Sequence, residues 1–363
     1  MEASLEPIVQ QWQERTREGK PLRLRGGSSK DFYGQALTGD VLDTRPYRGI
    51  VAYEPTELVI TARCGTPLAE VEAVLAARGQ MLAFEPPHFG AATVGGCVAA
   101  ALSGPRRASA GAVRDFVLGV KLLDGAARIL NFGGQVMKNV AGYDVSRLLA
   151  GSLGTLGIIL EVSLKVLPRP VAETTLRLPA TEDQALALMN RWAGQPLPVS
   201  ATCWNDGVLN VRLSGARAAV ASAREKLGGE AVDNAEELWT DIREQRHGFF
   251  AGEAQLWRLS LPSTTPVVSF GAAPLIEWGG AQRWVRGALD AEIVRDVAAR
   301  IGGHATLFRG GDKSAGVFQP LTPAMFTLQQ RLQKSFDPNG IFGGGRMFAT
   351  SSADSHAPLD NHA

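Results

Sequence analysis

Cysteine is scarce in this chain: Cys64, Cys97 and Cys203 are the three thiols among 363 residues, far apart, with no CxxC pair and no His at metal-ligand spacing. That scarcity excludes a disulfide framework, a zinc site and an iron–sulfur cluster held by this chain alone. Neither sign of charge dominates, because 37 Lys plus Arg face 36 Asp plus Glu for a formal net charge of +1. The broad basic surface that nucleic-acid binding draws on is therefore missing. Long apolar runs are missing as well. The longest uncharged stretch, Pro86 to Pro105, is rich in Gly and Pro and has too few large apolar residues to span a membrane. The first residues, Met1 to Arg17, include Glu2, Glu6 and Glu14 and show no apolar core of a secretory leader, so a reducing cytoplasm is expected. What remains is an ordinary globular composition, 45% hydrophobic and 20% charged, with enough length for two domains.

Glycine is where the chain is rich. Three stretches place it beside small hydroxyl residues: Arg25-Gly26-Gly27-Ser28-Ser29-Lys30, Thr93-Val94-Gly95-Gly96, and Gly151-Ser152-Leu153-Gly154-Thr155-Leu156-Gly157-Ile158. Glycine tolerates positive φ and close approach, and consecutive backbone N–H groups in such turns form concave anion sites. Three such turns in one half of a chain point to an extended, phosphate-bearing ligand gripped at several points. The third stretch has the spacing GxxGxxG, but the nicotinamide fingerprint GxGxxG follows a strand and opens a helix. Here a helical Tyr143 to Leu149 comes first and the alternating strand Ile158 to Val166 follows, so a Rossmann site is rejected.

The remaining pattern mixes short strands and helices without a βαβ repeat, which predicts an α+β fold. Pro21 to Arg25 and Leu58 to Cys64 read as strands, and Pro67 to Ala77 as a helix with Gly79 past its end. Asp124-Gly125 between Val117–Leu123 and Arg128–Phe132 is a hairpin signal. Pro168-Arg169-Pro170 marks a boundary. Beyond it, strands at Thr174 to Leu178, Val208 to Leu213 and Gln255 to Leu261 alternate with helices at Thr181 onward, Ala216 to Leu227 and Ala291 to Ile301. Thr322-Pro323 starts a last helix that Asp337-Pro338-Asn339-Gly340 stops. The expected division is residues 1–170 as the ligand-binding domain, 171–348 as a smaller α+β domain, and 349–363 as a disordered tail.

The ordered set of motifs, from Arg25-Gly26-Gly27-Ser28-Ser29 through Pro87, Ala92-Thr93-Val94-Gly95-Gly96, Gly104 to Asp115, Gly142-Tyr143-Asp144 and Gly151 to Ile158, resembles the FAD-binding domain of the vanillyl-alcohol oxidase type, also called PCMH-type. Within that family it is most similar to the small FAD-binding subunits of bacterial glycolate oxidases, up to Phe348. The resemblance implies FAD, with its pyrophosphate cradled by Gly26, Gly27, Ser28, Ser29 and Lys30 and with Arg25 as a charged anchor. It places Thr93, Gly95, Gly96 and the loop from Gly104 to Gly111 on the other side of the phosphates and ribityl chain, after Pro87. Gly151, Gly154, Thr155, Gly157 and Ile158 would lie against the adenosine or the flavin. Ser28 and Ser29 stand where covalent relatives carry a His, which implies noncovalent FAD.

The His-x-Gly-Asp-Gly-Asn metal motif of larger relatives is absent, and Gly343-Gly344-Gly345 before Arg346 replaces their Asn-Pro-Gly. The resemblance therefore implies a subunit that oxidises glycolate, a small 2-hydroxy acid, together with a larger FAD-binding subunit and an iron–sulfur subunit, and that meets the inner membrane only through them. A self-contained FAD oxidoreductase for another hydroxy acid or alcohol and a purely structural flavin-fold subunit stay open as alternatives. Secondary candidates are Arg106 and Arg107 for phosphate, Lys138 and Asn139 for the flavin, and His88 and His304 for proton abstraction. Trp257, Arg258, Trp278, Arg283, Trp284 and Arg309 are candidates for a substrate carboxylate. For each of these a packing or solvated role is the competing reading.

Overall fold

A computed structural model describes residues 5–36, 38–134 and 144–348. Among them, five strands form an antiparallel sheet in the order Ile50–Glu54, Val59–Arg63, Ile158–Lys165, Val117–Leu123, Ile129–Gly133. Two of the three inner strands are largely buried: Val59–Arg63 at every position, and Ile158–Lys165 at all but Glu161 and Lys165. The hairpin expected at Asp124-Gly125 is present. The Asp124 carboxylate accepts from the Ala126 and Arg128 amides at 3.0 and 2.8 Å and pairs with the Arg128 guanidinium.

A second antiparallel sheet of eight described strands begins at Ala172–Pro179. Its order is Glu230–Ala231, Ala172–Pro179, Val208–Gly215, Val199–Asn205, Leu275–Glu277, Gln282–Arg286, Leu256–Ser260, His304–Arg309. Antiparallel sheets with helices set beside them make the fold α+β, as expected. The helices Glu182–Ala193, Arg217–Leu227 and Ala291–Arg300 match the sequence reading, and the first opens on a bond from the Thr181 amide to Gln184 Oε1. Five strands of this sheet, at 199–205, 230–231, 275–277, 282–286 and 304–309, carried no sequence expectation. Their buried polar residues, Glu277, Gln282, Arg283 and Thr306 among them, break the apolar alternation by which a strand is read.

Two expectations are corrected. Thr93 to Gly96 is not a free turn: Thr93 caps the helix Val94–Ala100, with Gly95 and Gly96 in its first turn. Gly95 is small because an added Cβ would lie 2.7 Å from the Cys64 Cβ, where helix and sheet meet. The chain also does not stay with the second sheet to residue 348. The helix Pro323–Phe336 lays Leu332 and Phe336 on the first core, and Ile341 and Phe342 are buried in it. The Leu22 amide donates to the Ile341 carbonyl at 2.7 Å, and the Asp337 carboxylate accepts from Ile341 and Phe342. The breaker after the helix was legible; where the chain goes next is a long-range packing choice.

Between the sheets lies a shared cluster. Tyr33, Ala100 and Leu102 from the first part pack with Trp239, Trp284 and Phe308 from the second, with Tyr33 and Trp284 rings 5.3 and 4.9 Å from Phe308. Full burial of a ring such as Phe308 contributes about 1.5–3 kcal/mol, so this cluster couples the two parts. A charged network supports it: Glu85 lies between Arg106 and Arg212, and both guanidinium groups also approach Glu173.

Candidate functional site

The strands Leu22–Arg25 and Asp40–Asp43 pair in parallel and deliver residues 26–30 to the edge of a cleft of about 770 Å³, including its part open to solvent. Gly27 is required by the local packing, because an added Cβ would coincide with the Ala91 carbonyl, and Ser28 holds a φ of 62°. The turn leaves its amides pointing away from the protein's own acceptors. The N–H groups of Gly26, Gly27, Ser28, Ser29 and Lys30 donate to no acceptor among the described residues, whereas those of Asp31 and Tyr33 are satisfied by Ser28 and Lys30 carbonyls.

The second wall is the helix Val94–Ala100, with Thr93, Gly95, Gly96, Ala99 and Ala100 on the cleft. The third is the turn before the strand Ile158–Lys165, from which Leu153, Gly154, Gly157 and Ile158 line the space. Gly157, at φ 142°, has its Cα where a Cβ would lie 2.6 Å from the Leu123 carbonyl, so only glycine lets this turn close on the sheet. Of the residues expected at the site, Arg25, Gly26, Gly27, Ser28, Ser29, Lys30, Thr93, Gly95, Gly96, Gly154, Gly157 and Ile158 all meet here.

The other five do not line the cleft. Gly151 and Thr155 form its supporting turn, the first donating to the Val98 carbonyl and the second, through its hydroxyl, to the Ser152 carbonyl at 2.8 Å. Gly111 is at φ 108° against the Asp115 side chain. Pro87 and Gly104 line a neighbouring cavity. Arg25 is paired with Asp31 at 2.7 Å. Its Nε is buried and unpartnered, as is that of Arg346, which sequence reasoning missed. Arg346 is 8% exposed, lines the cleft, and donates from Nη2 to the Tyr33 carbonyl at 2.9 Å. The available signal was a lone Arg after three glycines near the carboxyl end.

Lys30 is held by the His88 carbonyl at 3.2 Å and lies 5.6 Å from the centre of the Phe89 ring. Burial holds its ammonium below the usual lysine range, with Cys97 and Glu244 opposing. A cation that is costly to bury gains from an arriving anion. Free amides in a turn, a desolvated ammonium and two guanidinium Nε groups without partners fit a diphosphate, and the apolar wall of Leu24, Ala99, Leu153 and Ile159 fits flat rings.

The secondary candidates resolve differently. Arg106 is taken by Glu85 and Glu173, and Arg107 lies 4.4 Å over the Trp278 ring, so neither lines the cleft. Lys138, Asn139 and the Gly142-Tyr143 pair lie outside the described residues, as does the tail 349–363. His88 is bound to Glu72 at 2.9 Å, and His304 is exposed at the start of its strand. Trp257 is core, Arg283 is spent on the Thr265 and Pro266 carbonyls, and Arg309 on Gln245. Trp278 donates to the Gly104 carbonyl at 3.1 Å, and Arg258 and Trp284 line the neighbouring cavity.

Comparison with known proteins gives this geometry its context. A family model described as an FAD binding domain matches residues 3–133. Glycolate oxidase subunit GlcE of Escherichia coli (strain K12) is 48% identical over 349 residues, which is 96% of this chain and 97% of that protein. The chain belongs to the GlcE family of glycolate oxidase subunits. More distant similarity reaches a D-lactate dehydrogenase of Archaeoglobus fulgidus, 32% identical over 188 residues, or 50% of this chain and 41% of that one. Glycolate oxidase subunit GlcD of Bacillus subtilis is 31% identical over 158 residues, 43% of this chain and 34% of GlcD. Among solved structures, an alkyldihydroxyacetonephosphate synthase superposes with a TM-score of 0.64 at 14% identity, covering 93% of this chain and 74% of that one. That likeness speaks to the fold alone. The expected FAD-binding family and α+β fold both hold for this GlcE-family chain.

Proposed function

We propose that this chain is the small FAD-binding subunit of a multisubunit glycolate oxidase, which converts glycolate to glyoxylate and passes electrons onward. The observation that carries the reading is the row of unengaged amides from Gly26 to Lys30 lining the cleft, in a chain that aligns with GlcE along nearly its whole length. In this reading residues 26–30 hold the pyrophosphate of a noncovalent FAD, with Lys30 and Arg346 supplying positive charge. The turn at Gly154 and Gly157 and the helix at Thr93 to Gly96 flank it. The ligand-binding unit then comprises residues 1–170 together with the returning segment 323–346. Bound flavin supplies the two-electron redox chemistry. The chain's own residues exclude water from the apolar wall and fix the anionic end of the cofactor.

A larger FAD-binding subunit of the GlcD kind is the first partner of this assembly. An iron–sulfur subunit is the second, because the three thiols here are buried and apart and none can ligate a cluster. The complex sits on the cytoplasmic side, and membrane attachment comes through the partners. Among the described residues no helix is long and apolar enough to cross a membrane.

The test is anaerobic reconstitution: purified chain, partner subunits and glycolate are combined, and flavin bleaching is followed. Bleaching that requires the whole assembly supports the subunit reading. Full turnover by the chain alone supports the self-contained alternative, and a chain that never takes up flavin sinks both.

A further inference from the structure

Between residues 87–105 of the first part and the second sheet there is a separate cavity of about 330 Å³, including its part open to solvent. Leu102 to Gly104 enter it directly after the helix whose Ala99 and Ala100 line the cleft, and Phe89, the ring beneath the Lys30 ammonium, forms part of its wall. Two charged groups on that wall have no ion-pair partner among the described residues. Glu277, 4% exposed, ends the strand Leu275–Glu277. Its Oε2 accepts from Trp284 Nε1 at 2.7 Å and Gln282 Nε2 at 3.0 Å, while its Oε1 has no protein partner among the described residues. No cation is among its electrostatic neighbours.

Arg258 is the second. It donates from Nη2 to the Tyr33 hydroxyl at 2.9 Å and lies 5.6 Å from the centres of the Tyr33 and Phe308 rings, and it forms no ion pair among the described residues. The other wall cation, Arg243, is already taken by Glu244 at 2.8 Å. A buried carboxylate without a cation and a guanidinium without an anion, on one small cavity, are complementary to a molecule that carries an anion and a hydrogen-bond donor.

We propose that this cavity binds a small 2-hydroxy carboxylate, with Arg258 taking the carboxylate and the free oxygen of Glu277 accepting the hydroxyl, which makes Glu277 a catalytic residue. The proposal rests on the reading of the chain as a flavin-dependent hydroxy-acid oxidoreductase. In the oxidation the hydroxyl proton passes to Glu277, the α-hydrogen leaves with its electron pair as hydride to the flavin, and the C–O bond becomes C=O. The walls of Phe89, Ile242, Trp284 and Phe308 limit the substrate to a few carbons.

Burial pushes the Glu277 carboxyl up to about 7, against the stabilising bonds from Trp284 and Gln282, with Glu85 adding to the rise. Other titratable groups around this region include Arg243 on the wall with its partner Glu244, Arg258 with Arg107 and His304 in its electrostatic reach, and the Cys203 thiol on the adjacent strand. A carboxyl that titrates there acts as acceptor only above that pH.

The experiment uses the FAD-loaded full chain and a pair of probes that this step cannot oxidise: 2-hydroxyisobutyrate, which has no α-hydrogen, and isobutyrate, which has no hydroxyl. Binding is read by calorimetry between pH 6 and pH 8. Wild type should prefer the hydroxy acid about tenfold at pH 8 and about threefold or less at pH 6. Glu277→Gln should lose the preference at pH 8 while still binding isobutyrate, and Arg258→Met should weaken both ligands about tenfold or more. Trp284→Phe removes a bond to the charged carboxylate and should move the pH midpoint upward, an independent readout should Glu277→Gln not fold. A tenfold preference retained in Glu277→Gln, an unmoved midpoint in Trp284→Phe, undiminished binding in Arg258→Met, or no binding by flavin-replete wild type would each overturn the proposal. Wild type that holds no flavin would instead count against the flavoprotein reading itself.

Discussion

Gly27→Ala tests the cradle at its tightest point. In the native turn an added Cβ coincides with the Ala91 carbonyl and lies 3.3 Å from the Ala92 amide, backbone atoms that no rotamer change can move aside. The loop must retreat by about 2 Å to restore van der Waals separation, which carries the amides of residues 26–30 out of hydrogen-bond reach of a diphosphate. Bonds to a charged acceptor are worth about 1.5–3 kcal/mol each, so losing two costs about 3–6 kcal/mol and raises the FAD dissociation constant by about 10²- to 10⁴-fold. The assay is titration of apoprotein with FAD, followed by quenching of flavin fluorescence. Gly248→Ala serves as control, since an added Cβ there meets nothing within 4 Å. If Gly27→Ala binds FAD within threefold of wild type while remaining folded, the loop is not the phosphate cradle and the reasoning fails.

Three further outcomes are expected. Arg346→Met should weaken FAD about tenfold, because Arg346 both lines the cleft and ties the Tyr33 carbonyl, and fluorescence titration at two salt concentrations checks it. Glu85→Gln should cost about 3 kcal/mol in urea unfolding, since it strips the carboxylate shared by two guanidinium groups. Burial alone would raise Glu85, but Arg212 and then Arg106 outweigh it and hold its carboxyl below the usual range. Its contribution is therefore fully present above the ordinary glutamate pKa and is lost as pH falls through the lower folded value, so the variant's deficit should shrink in acid. Cys64 and Cys97, whose thiols burial pushes up to about 12, should resist a thiol reagent at pH 8 in the native protein and react once it is unfolded.

The glycine loops were legible because they record close backbone approaches that one residue type allows, Gly27 under the Ala91 carbonyl and Gly157 against the Leu123 carbonyl. Their convergence on one cleft follows from the order of motifs. The hairpin at Asp124-Gly125 and the caps at Thr181 and Thr322 were legible for the same local reason. Arg346 was not, because its place beside Tyr33 depends on a chain return of more than 300 residues that no local signal encodes. Thr93 to Gly96 read as a turn since Gly-Gly is a poor helix start, yet contact with Cys64 overrides that propensity. Glu277 was hidden in an unpredicted strand, where a buried acid looks like a break in the pattern.

The most direct measurement is the flavin content of the purified chain before and after denaturation. The account predicts about one FAD per chain in the native protein, held in the cleft at residues 26–30, and complete release of that FAD into the supernatant when the protein is precipitated with acid. A colourless protein that takes up no added FAD, or flavin that stays with the precipitate, would contradict it.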